Sequence, residues 1–261
     1  MKKKIQIIFV LVLGIILIYG INRVVTHVDP SDSAQSTTED KKHSSTATTT
    51  TNTSKTAKLP KGSLDDWNLL LVGPDHPLKQ DFPADAFADI PGTAMQLDKR
   101  VIQPFEELRD AAAKAGYPLV IISGYRSISA QQQVFDDTVA MHMAQGMSAE
   151  DAKATTLETV TEPGHSEHHT GLAVDIVDED WNQNYPRTVL EEEYGEQPGA
   201  KWLAKHAREY GFIVRYPNHQ EGITKITYEP WHFRYVGVAH AKYIEAHHLT
   251  LEEYLKLFKE K

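Results

Sequence analysis

The pattern of apolar and polar positions divides the 261-residue chain into three regions. Residues 5–21 are almost entirely apolar and follow three lysines, and the run is close to the lower limit of about 17 residues for a membrane-spanning helix. Lysines before the run and few charges after it predict a cytoplasmic tail over residues 1–4 and an uncleaved transmembrane anchor over residues 5–21. A cleaved signal peptide is the alternative, but no A-x-A-like site follows closely.

The second region, residues 22–62, has no aromatic side chain and is rich in Ser and Thr. Such a segment cannot bury enough apolar surface to offset the entropy of ordering, so a disordered linker is predicted. A folded domain is expected over residues 63–261, because Trp67 and a strand-like apolar run appear at its start.

Within this domain, apolar residues recur every three or four positions in some segments and form short continuous or alternating runs in others. The first pattern predicts helices over 93–115, 129–145, 200–210 and 249–258, with a kink or late start at Pro104. The second pattern predicts strands within 118–123, 171–176, 212–216 and 225–236. Helices and strands do not alternate regularly, which favours an α+β fold with a central, mainly antiparallel sheet and flanking helices.

Composition and charge narrow the possible functions. The chain has no cysteine, which excludes disulfides, thiolate metal sites and a cysteine nucleophile. Residues 64–261 carry 18 basic and 32 acidic side chains. Nucleic-acid binders present a basic face, so this acidic domain is not expected to bind nucleic acid.

An aspartate lies inside the apolar segment GLAVDI, residues 171–176. Strand alternation places Leu172, Val174 and Ile176 on one face and Asp175 on the other. An unpaired buried carboxylate is costly, so Asp175 requires an arginine, several N–H donors or a metal ion. His168 lies just before this strand and could reach the level of Asp175.

Two further segments carry polar side chains among apolar ones. In YEPWHFRYV, residues 228–236, Glu229 precedes His232 by three positions across Pro230, so the histidine could face a metal while the glutamate reaches a water molecule. In SGYRS, residues 123–127, Arg126 follows a buried strand and offers a fork of donors suited to a carboxylate or an oxyanion. Each segment alone is equally consistent with an edge strand or a surface salt bridge. Two imidazoles, a carboxylate ligand and a free carboxylate are together what a catalytic zinc site requires.

Three motifs in order, S-G-Y-R-S with Gln131, S-E-H-H-T-G-L-A-V-D and E-P-W-H, resemble the VanY-type D-alanyl-D-alanine carboxypeptidases. These are zinc peptidases that share a fold with the hedgehog signalling domain. The resemblance extends from about Trp67 to Val236. It implies a Zn²⁺ ion bound by three side chains: His168, Asp175 and His232. It also implies that Glu229 is the general base, that Arg126 stabilises the oxyanion, and that four residues contact the substrate: Ser123, Tyr125, Gln131 and Ser166.

The resemblance predicts a zinc-dependent enzyme that removes the C-terminal D-alanine from peptidoglycan stem peptides. The alternatives are an L,D-carboxypeptidase acting on tetrapeptide stems, an endopeptidase of the cross-bridge, and a non-catalytic zinc-containing module that binds the cell wall. The domain is expected to be monomeric, tethered to the cell membrane by a single span and facing the wall.

The remaining histidines are open or are expected at the surface. His165 and His169 either line the pocket or are solvated loop residues. His142 is expected to be exposed on its helix, and three C-terminal histidines are expected at the surface: His240, His247 and His248.

Overall fold

The computed structural model describes residues 58–185 and 189–259. The predicted cytoplasmic tail, the predicted anchor and nearly all of the predicted linker lie outside these residues. Among the helices of the described part, none is both long enough and apolar enough to cross a bilayer. Residues Leu59–Lys261 form one compact unit.

The described part of this unit contains six short strands and eight α-helices. The strands are β1 (Phe87–Asp89), β2 (Gln96–Asp98), β3 (Leu119–Ser123), β4 (Ala173–Asp178), β5 (Phe212–Val214) and β6 (His232–Tyr235). The helices are α1 (Ile102–Lys114), α2 (Ile128–Ala144), α3 (Ala149–Leu157), α4 (Glu179–Asn184), α5 (Pro198–His206), α6 (Glu221–Thr224), α7 (Val238–Ala246) and α8 (Leu251–Lys259). Short 3₁₀ helices include Trp67–Leu69, Glu167–Thr170 and Ala207–Tyr210.

Strands β3, β4, β6 and β5 form a four-stranded sheet in that order, and every neighbouring pair is antiparallel. Strands β1 and β2 form a separate antiparallel pair. This arrangement confirms the predicted α+β class with an antiparallel sheet and flanking helices. The whole of β4 is buried, and its register places Asp175 opposite Ser123 on one side and His232 on the other.

The main core lies on one face of the sheet. Leu172, Val174 and Ile176 pack there with side chains from α1, α5 and the neighbouring strands, among them Phe105, Leu108, Leu203, Phe212 and Phe233. The alternation predicted for this segment is therefore confirmed. Because consecutive side chains of a strand point to opposite faces, Asp175 is directed away from this core.

Three elements differ from their predicted limits. The helix expected from residue 93 begins at Ile102, because residues 96–98 pair with β1 instead. Pro104 then falls in the first turn of α1, where no intrahelical N–H donor is required. The strand-like apolar run at the start of the domain begins as the 3₁₀ helix Trp67–Leu69, and residues 70–72 continue without forming a strand. The last predicted strand is limited to β6, since Pro230 cannot donate to a ladder.

Candidate metal centre

Three buried side chains meet on the face of the sheet that points away from the main core. His168, Asp175 and His232 each offer one ligand atom, and these atoms lie within 4.8 Å of one another. The Nε2 atom of His168 is 3.1 Å from Asp175 Oδ2, and the Nδ1 atom of His232 is 2.9 Å from Asp175 Oδ1. The structure thus brings together the three residues that the sequence motifs single out as metal ligands.

The local backbone geometry positions these three side chains. The 3₁₀ helix Glu167–Thr170 carries His168 and ends at Gly171, which has a φ of 65°. A Cβ at Gly171 would lie 2.6 Å from the Asp98 amide nitrogen and 2.8 Å from the Phe87 ring, so only glycine fits the turn into β4. Asp175 and His232 then meet because they are paired in register.

Each imidazole is fixed through one nitrogen and presents the other to the cluster. The Nδ1 atom of His168 donates to the Gly124 carbonyl at 2.8 Å, because a carbonyl can only accept. His232 has its Nε2 atom 3.4 Å from Glu167 Oε2 and its Nδ1 atom facing Asp175. Orienting contacts of this kind accompany histidine ligands in metal sites.

The ionisable side chains of the cluster favour a bound cation. Burial lowers the pKa of His168. Burial alone would raise the pKa of Asp175, but the imidazoles of His168 and His232 hold it well below its usual range. Burial alone would lower the pKa of His232, yet hydrogen bonds to Asp175 and Glu167 raise it to about 10. These directions favour a positive charge beside the Asp175 carboxylate, which a divalent ion bound by the same side chains would supply.

The donor set fits zinc. Two imidazole nitrogens and one carboxylate oxygen form one of the three-ligand sets found in catalytic zinc sites, which leave a fourth position for water or substrate. Calcium requires six to eight oxygen ligands, which this cluster does not supply.

Glu229 lies beside the cluster. Its Oε2 atom is 3.6 Å from His232 Nδ1, and its side chain is 24% exposed. A tight turn holds it, since the His232 amide donates to the Glu229 carbonyl at 3.2 Å and the Glu229 amide donates to the Tyr216 carbonyl at 3.1 Å. Burial raises the pKa of Glu229 to about 7.

Arg126 is held by the residues around it. Its guanidinium donates to Gln131 Oε1 at 2.9 Å and to Ser123 Oγ at 3.2 Å, and its amide donates to the His168 carbonyl at 3.2 Å. Burial lowers the pKa of Arg126, while the nearby carboxylates of Asp175 and Glu229 favour its charged form. Arg126 therefore lies close enough to the cluster to interact electrostatically with its carboxylates.

The four predicted substrate contacts occupy different environments. Gln131 is buried and uses its amide for Arg126 and for the Thr161 carbonyl, at 2.8 Å. The Ser166 hydroxyl accepts from the His168 amide at 3.3 Å, and Ser123 accepts from Arg126. Tyr125 is partly exposed and stacks on Phe87. Direct contact of these side chains with a substrate stays a prediction.

His169 is not a solvated loop residue, whereas His165 lies in a loop and is partly exposed. His169 is fully buried: its Nδ1 atom donates to the Arg126 carbonyl at 2.7 Å, and its Nε2 atom accepts from the Gly164 amide at 3.0 Å. The ring therefore ties the Arg126 loop to the turn before the 3₁₀ helix. The Nδ1 atom of His165 contacts the Pro74 carbonyl at 2.9 Å.

Two histidines expected at the surface are also buried. His142 is buried on α2, and His240 is buried and contacts the Tyr254 hydroxyl at 2.5 Å. Those expectations were wrong because a single helix pattern does not show which neighbouring helix covers it. His247 is partly exposed and His248 is exposed, as predicted.

The sequence patterns did not predict a role for three charged residues that lie behind His232: Glu167, Arg215 and Arg234. All are buried, and the two arginines lie in or directly after strands. The argument applied to Asp175, that a charge inside an apolar strand needs a partner, would have identified Arg234.

Comparison with known proteins identifies a family whose model matches this chain and several similar proteins. The family model described as VanY, D-alanyl-D-alanine carboxypeptidase, matches residues 94–238, more than half of the chain. The chain is 36% identical over 203 residues to a D-alanyl-D-alanine carboxypeptidase of Enterococcus faecalis, covering 78% of this chain and 70% of that protein. It is 41% identical over 161 residues to the Bacillus subtilis protein YodJ, covering 62% of this chain and 54% of YodJ. The chain thus spans about half the length of that relative.

Solved structures of carboxypeptidases are also similar to this chain. A mutant of the vancomycin-resistance D,D-pentapeptidase VanY in complex with Zn(II) aligns with a TM-score of 0.59 and 35% identity, covering 73% of this chain and 99% of that one. The LD-carboxypeptidase LdcB aligns with a TM-score of 0.61 and 36% identity, covering 73% and 86%.

Proposed function

The chain belongs to the VanY D-alanyl-D-alanine carboxypeptidase family, and from this premise we propose that it is a zinc-dependent enzyme that removes the C-terminal D-alanine from peptidoglycan stem peptides. The observation that carries the proposal is the buried convergence of His168, Asp175 and His232 beside Glu229. A non-catalytic zinc module would require neither Glu229 nor Arg126 at this position.

His168 through Nε2, His232 through Nδ1 and Asp175 through its carboxylate would hold the zinc ion. When bound, zinc acts as a Lewis acid that makes water a nucleophile near neutral pH. The protein contributes the fixed orientation of both imidazoles, one through the Gly124 carbonyl and the other through Glu167.

Glu229 is the general base. It lies next to the cluster without being one of its three ligands, and its partial exposure lets it reach water and substrate. The carboxylate accepts a proton from the attacking water. It then delivers that proton to the amine of the departing D-alanine.

Arg126 stabilises the negative charge that develops on the oxygen of the scissile carbonyl. Gln131 and Ser123 fix its guanidinium, so little reorganisation is required when the charge appears. Gln131 thereby supports catalysis through Arg126 as well as through any contact with the peptide.

A second candidate is L,D-carboxypeptidase activity on tetrapeptide stems. Its support is the similarity to LdcB, with a TM-score of 0.61 and 36% identity, which is as high as the similarity to the D,D-pentapeptidase, with 0.59 and 35%. The chemistry at the scissile bond is the same, and the two activities differ in the residue that precedes the released D-alanine.

Mass spectrometry of defined muropeptides tests both activities. Incubation with pentapeptide and with tetrapeptide stems, with and without a chelator, should show loss of one alanine from the pentapeptide and none after chelation. Loss from the tetrapeptide alone would replace the D,D assignment by the L,D one. Binding of either stem without alanine release would support the wall-binding module.

For location, the proposal is that residues 5–21 anchor the chain in the cell membrane and that the catalytic domain is monomeric and faces the wall. The lysine-flanked apolar run supports this orientation. Fractionation of cells that express the full chain, or a chain lacking residues 1–21, tests it. Equal recovery of both proteins in the soluble fraction would contradict the anchor.

A further inference from the structure

A buried glutamate stands behind one of the proposed ligands. Glu167 has its Oε2 atom 3.4 Å from His232 Nε2, the ring nitrogen opposite the one that faces Asp175. This separation is longer than the usual N–H···O hydrogen bond of about 2.7–3.2 Å, so the contact is a weak one that a small movement of the imidazole would shorten. The side chain of Glu167 has no exposed surface.

Two buried arginines determine which oxygen of Glu167 is directed at His232. The Oε1 atom accepts from Arg215 Nε at 2.7 Å and from Arg234 Nη1 at 2.6 Å, and the arginine side chains are 1% and 0% exposed. Because both arginines bind Oε1, Oε2 is the oxygen directed at the imidazole. Burial would raise the pKa of Glu167, but Arg234 and Arg215 hold it well below its usual range.

The arginines are themselves anchored at distant points of the unit. Arg215 makes a bidentate contact with Glu252 on α8, at 2.6 and 3.0 Å. Arg234 donates to the carbonyls of Leu70 and Asn68, at 2.6 and 3.2 Å. Two cations and two anions therefore balance within this network.

Burying four charges does not by itself favour folding, since well-packed apolar side chains would stabilise a core as well or better. What the network supplies, and apolar residues cannot, is a directed acceptor at His232 Nε2. Carboxylates in this position fix the ring and the tautomer of histidine ligands in metal sites.

We propose that Glu167 is a positioning residue for His232: its Oε2 accepts the Nε2–H and keeps Nδ1 directed at the metal position, while Arg215 and Arg234 hold the carboxylate in place. The inference rests on the proposed function only in that a metal ion binds at the cluster.

The test compares Glu167→Gln with Glu252→Gln in the otherwise intact chain. Both substitutions remove one carboxylate from the same network, but Glu252 pairs with the outer side of Arg215. Zinc affinity is measured by competition with a chromophoric chelator, after circular dichroism has shown that each protein is folded. The visible spectrum of the cobalt-substituted proteins reports the ligand geometry.

Glu167→Gln should weaken zinc binding by about 10- to 100-fold and alter the cobalt spectrum. Glu252→Gln should lower the melting temperature of the metal-free protein and weaken zinc binding much less than Glu167→Gln does, because Arg234 still holds the Glu167 carboxylate. Parent-like zinc affinity of Glu167→Gln would overturn the proposal. An equal loss in both variants would overturn it too, because the network would then serve stability alone.

A measurement on the parent protein avoids variants that fail to fold. Nitrogen-15 NMR of the zinc-loaded protein should show His232 coordinating through Nδ1 and protonated at Nε2. The opposite tautomer would overturn the inference. A parent that binds no zinc at all would contradict the proposed function instead, so the two failures are distinguishable.

Discussion

Substitution of Glu229 should separate zinc binding from the hydrolysis of the peptide bond. Its Oε2 atom lies beside His232 but outside the group of three ligand atoms. Glu229→Gln should therefore bind zinc as the parent does and release D-alanine about 10²- to 10⁴-fold more slowly, the usual contribution of a general base. Zinc content and alanine release are measured on the same preparation.

A matched variant is Glu158→Gln, which makes the same chemical change at an exposed position after α3. It should leave both zinc content and alanine release unchanged. Near-normal turnover of Glu229→Gln, or loss of its zinc, would remove Glu229 from the role of base.

His169 follows the proposed ligand His168 in sequence, but its contacts position the Arg126 loop rather than a metal ion. Both of its ring nitrogens are engaged, one with the Arg126 carbonyl and one with the Gly164 amide. His169→Ala would leave two backbone groups without these partners, at about 1–3 kcal/mol each where the groups are buried. Zinc affinity should stay near that of the parent, while displacement of Arg126 should lower kcat/KM by roughly 10- to 100-fold.

Rescue distinguishes this role from general destabilisation. His169→Gln offers one donor and one acceptor and should recover part of the lost kcat/KM. A His169→Ala protein that loses zinc as completely as His168→Ala would contradict the assignment, since His169 would then act on the cluster itself.

At the scale of elements, β4 and the turn before it place two of the three proposed ligands. Gly171 makes that turn with a positive φ and no room for a Cβ. Gly171→Ala should lower the free energy of unfolding by about 1–3 kcal/mol from backbone strain, with a further loss from the clash, and should weaken zinc binding. Denaturant titration and chelator competition measure the two effects.

Gly222 provides the comparison for this substitution. It lies in α6, and a Cβ there would meet no atom of the described chain within 4 Å. Gly222→Ala should be neutral or slightly stabilising. If both variants lose the same stability, the geometry of the Gly171 turn is not the cause.

The elements also show which features a sequence pattern can predict. Segments with clear helical periodicity, such as α5 and α8, could be located, and the alternation in β4 separated the core residues from Asp175. Strands β1 and β2 are three residues long, too short for a period to appear, and β2 lies in a segment that resembled the start of α1. The family resemblance of three motifs taken together predicted the cluster, because each proposed ligand lies within one of two of these motifs.

The support behind the cluster could not be predicted in the same way. Glu167 and Arg234 are 67 residues apart, and their contact depends on the path of the 3₁₀ helix and on the register of β6. His169 resembles a loop histidine until the Gly164 turn and the Arg126 loop are placed around it. Long-range pairing of buried charges is specified by the tertiary fold rather than by any local period.

Across the whole molecule, the cluster exists only when distant segments are assembled. Asp175 and His232 are 57 residues apart, so the unfolded chain does not present these ligands together. Zinc should therefore bind the folded state selectively and raise its stability, by about 2.7 kcal/mol when free zinc is 100 times the dissociation constant. Thermal unfolding of the metal-free protein, with and without added zinc, measures this shift.

Two variants determine whether the shift originates at the cluster. Glu229→Gln keeps all three ligand atoms and should show the same zinc-dependent rise in melting temperature as the parent. His168→Ala removes one of the two imidazoles and should show little or none, because the remaining pair leaves the ion with one nitrogen and one carboxylate. If saturating zinc does not change the melting temperature of the parent, zinc does not bind. If His168→Ala responds to zinc as the parent does, zinc binds elsewhere. In either case a different cation would be needed to explain why these side chains converge around Asp175.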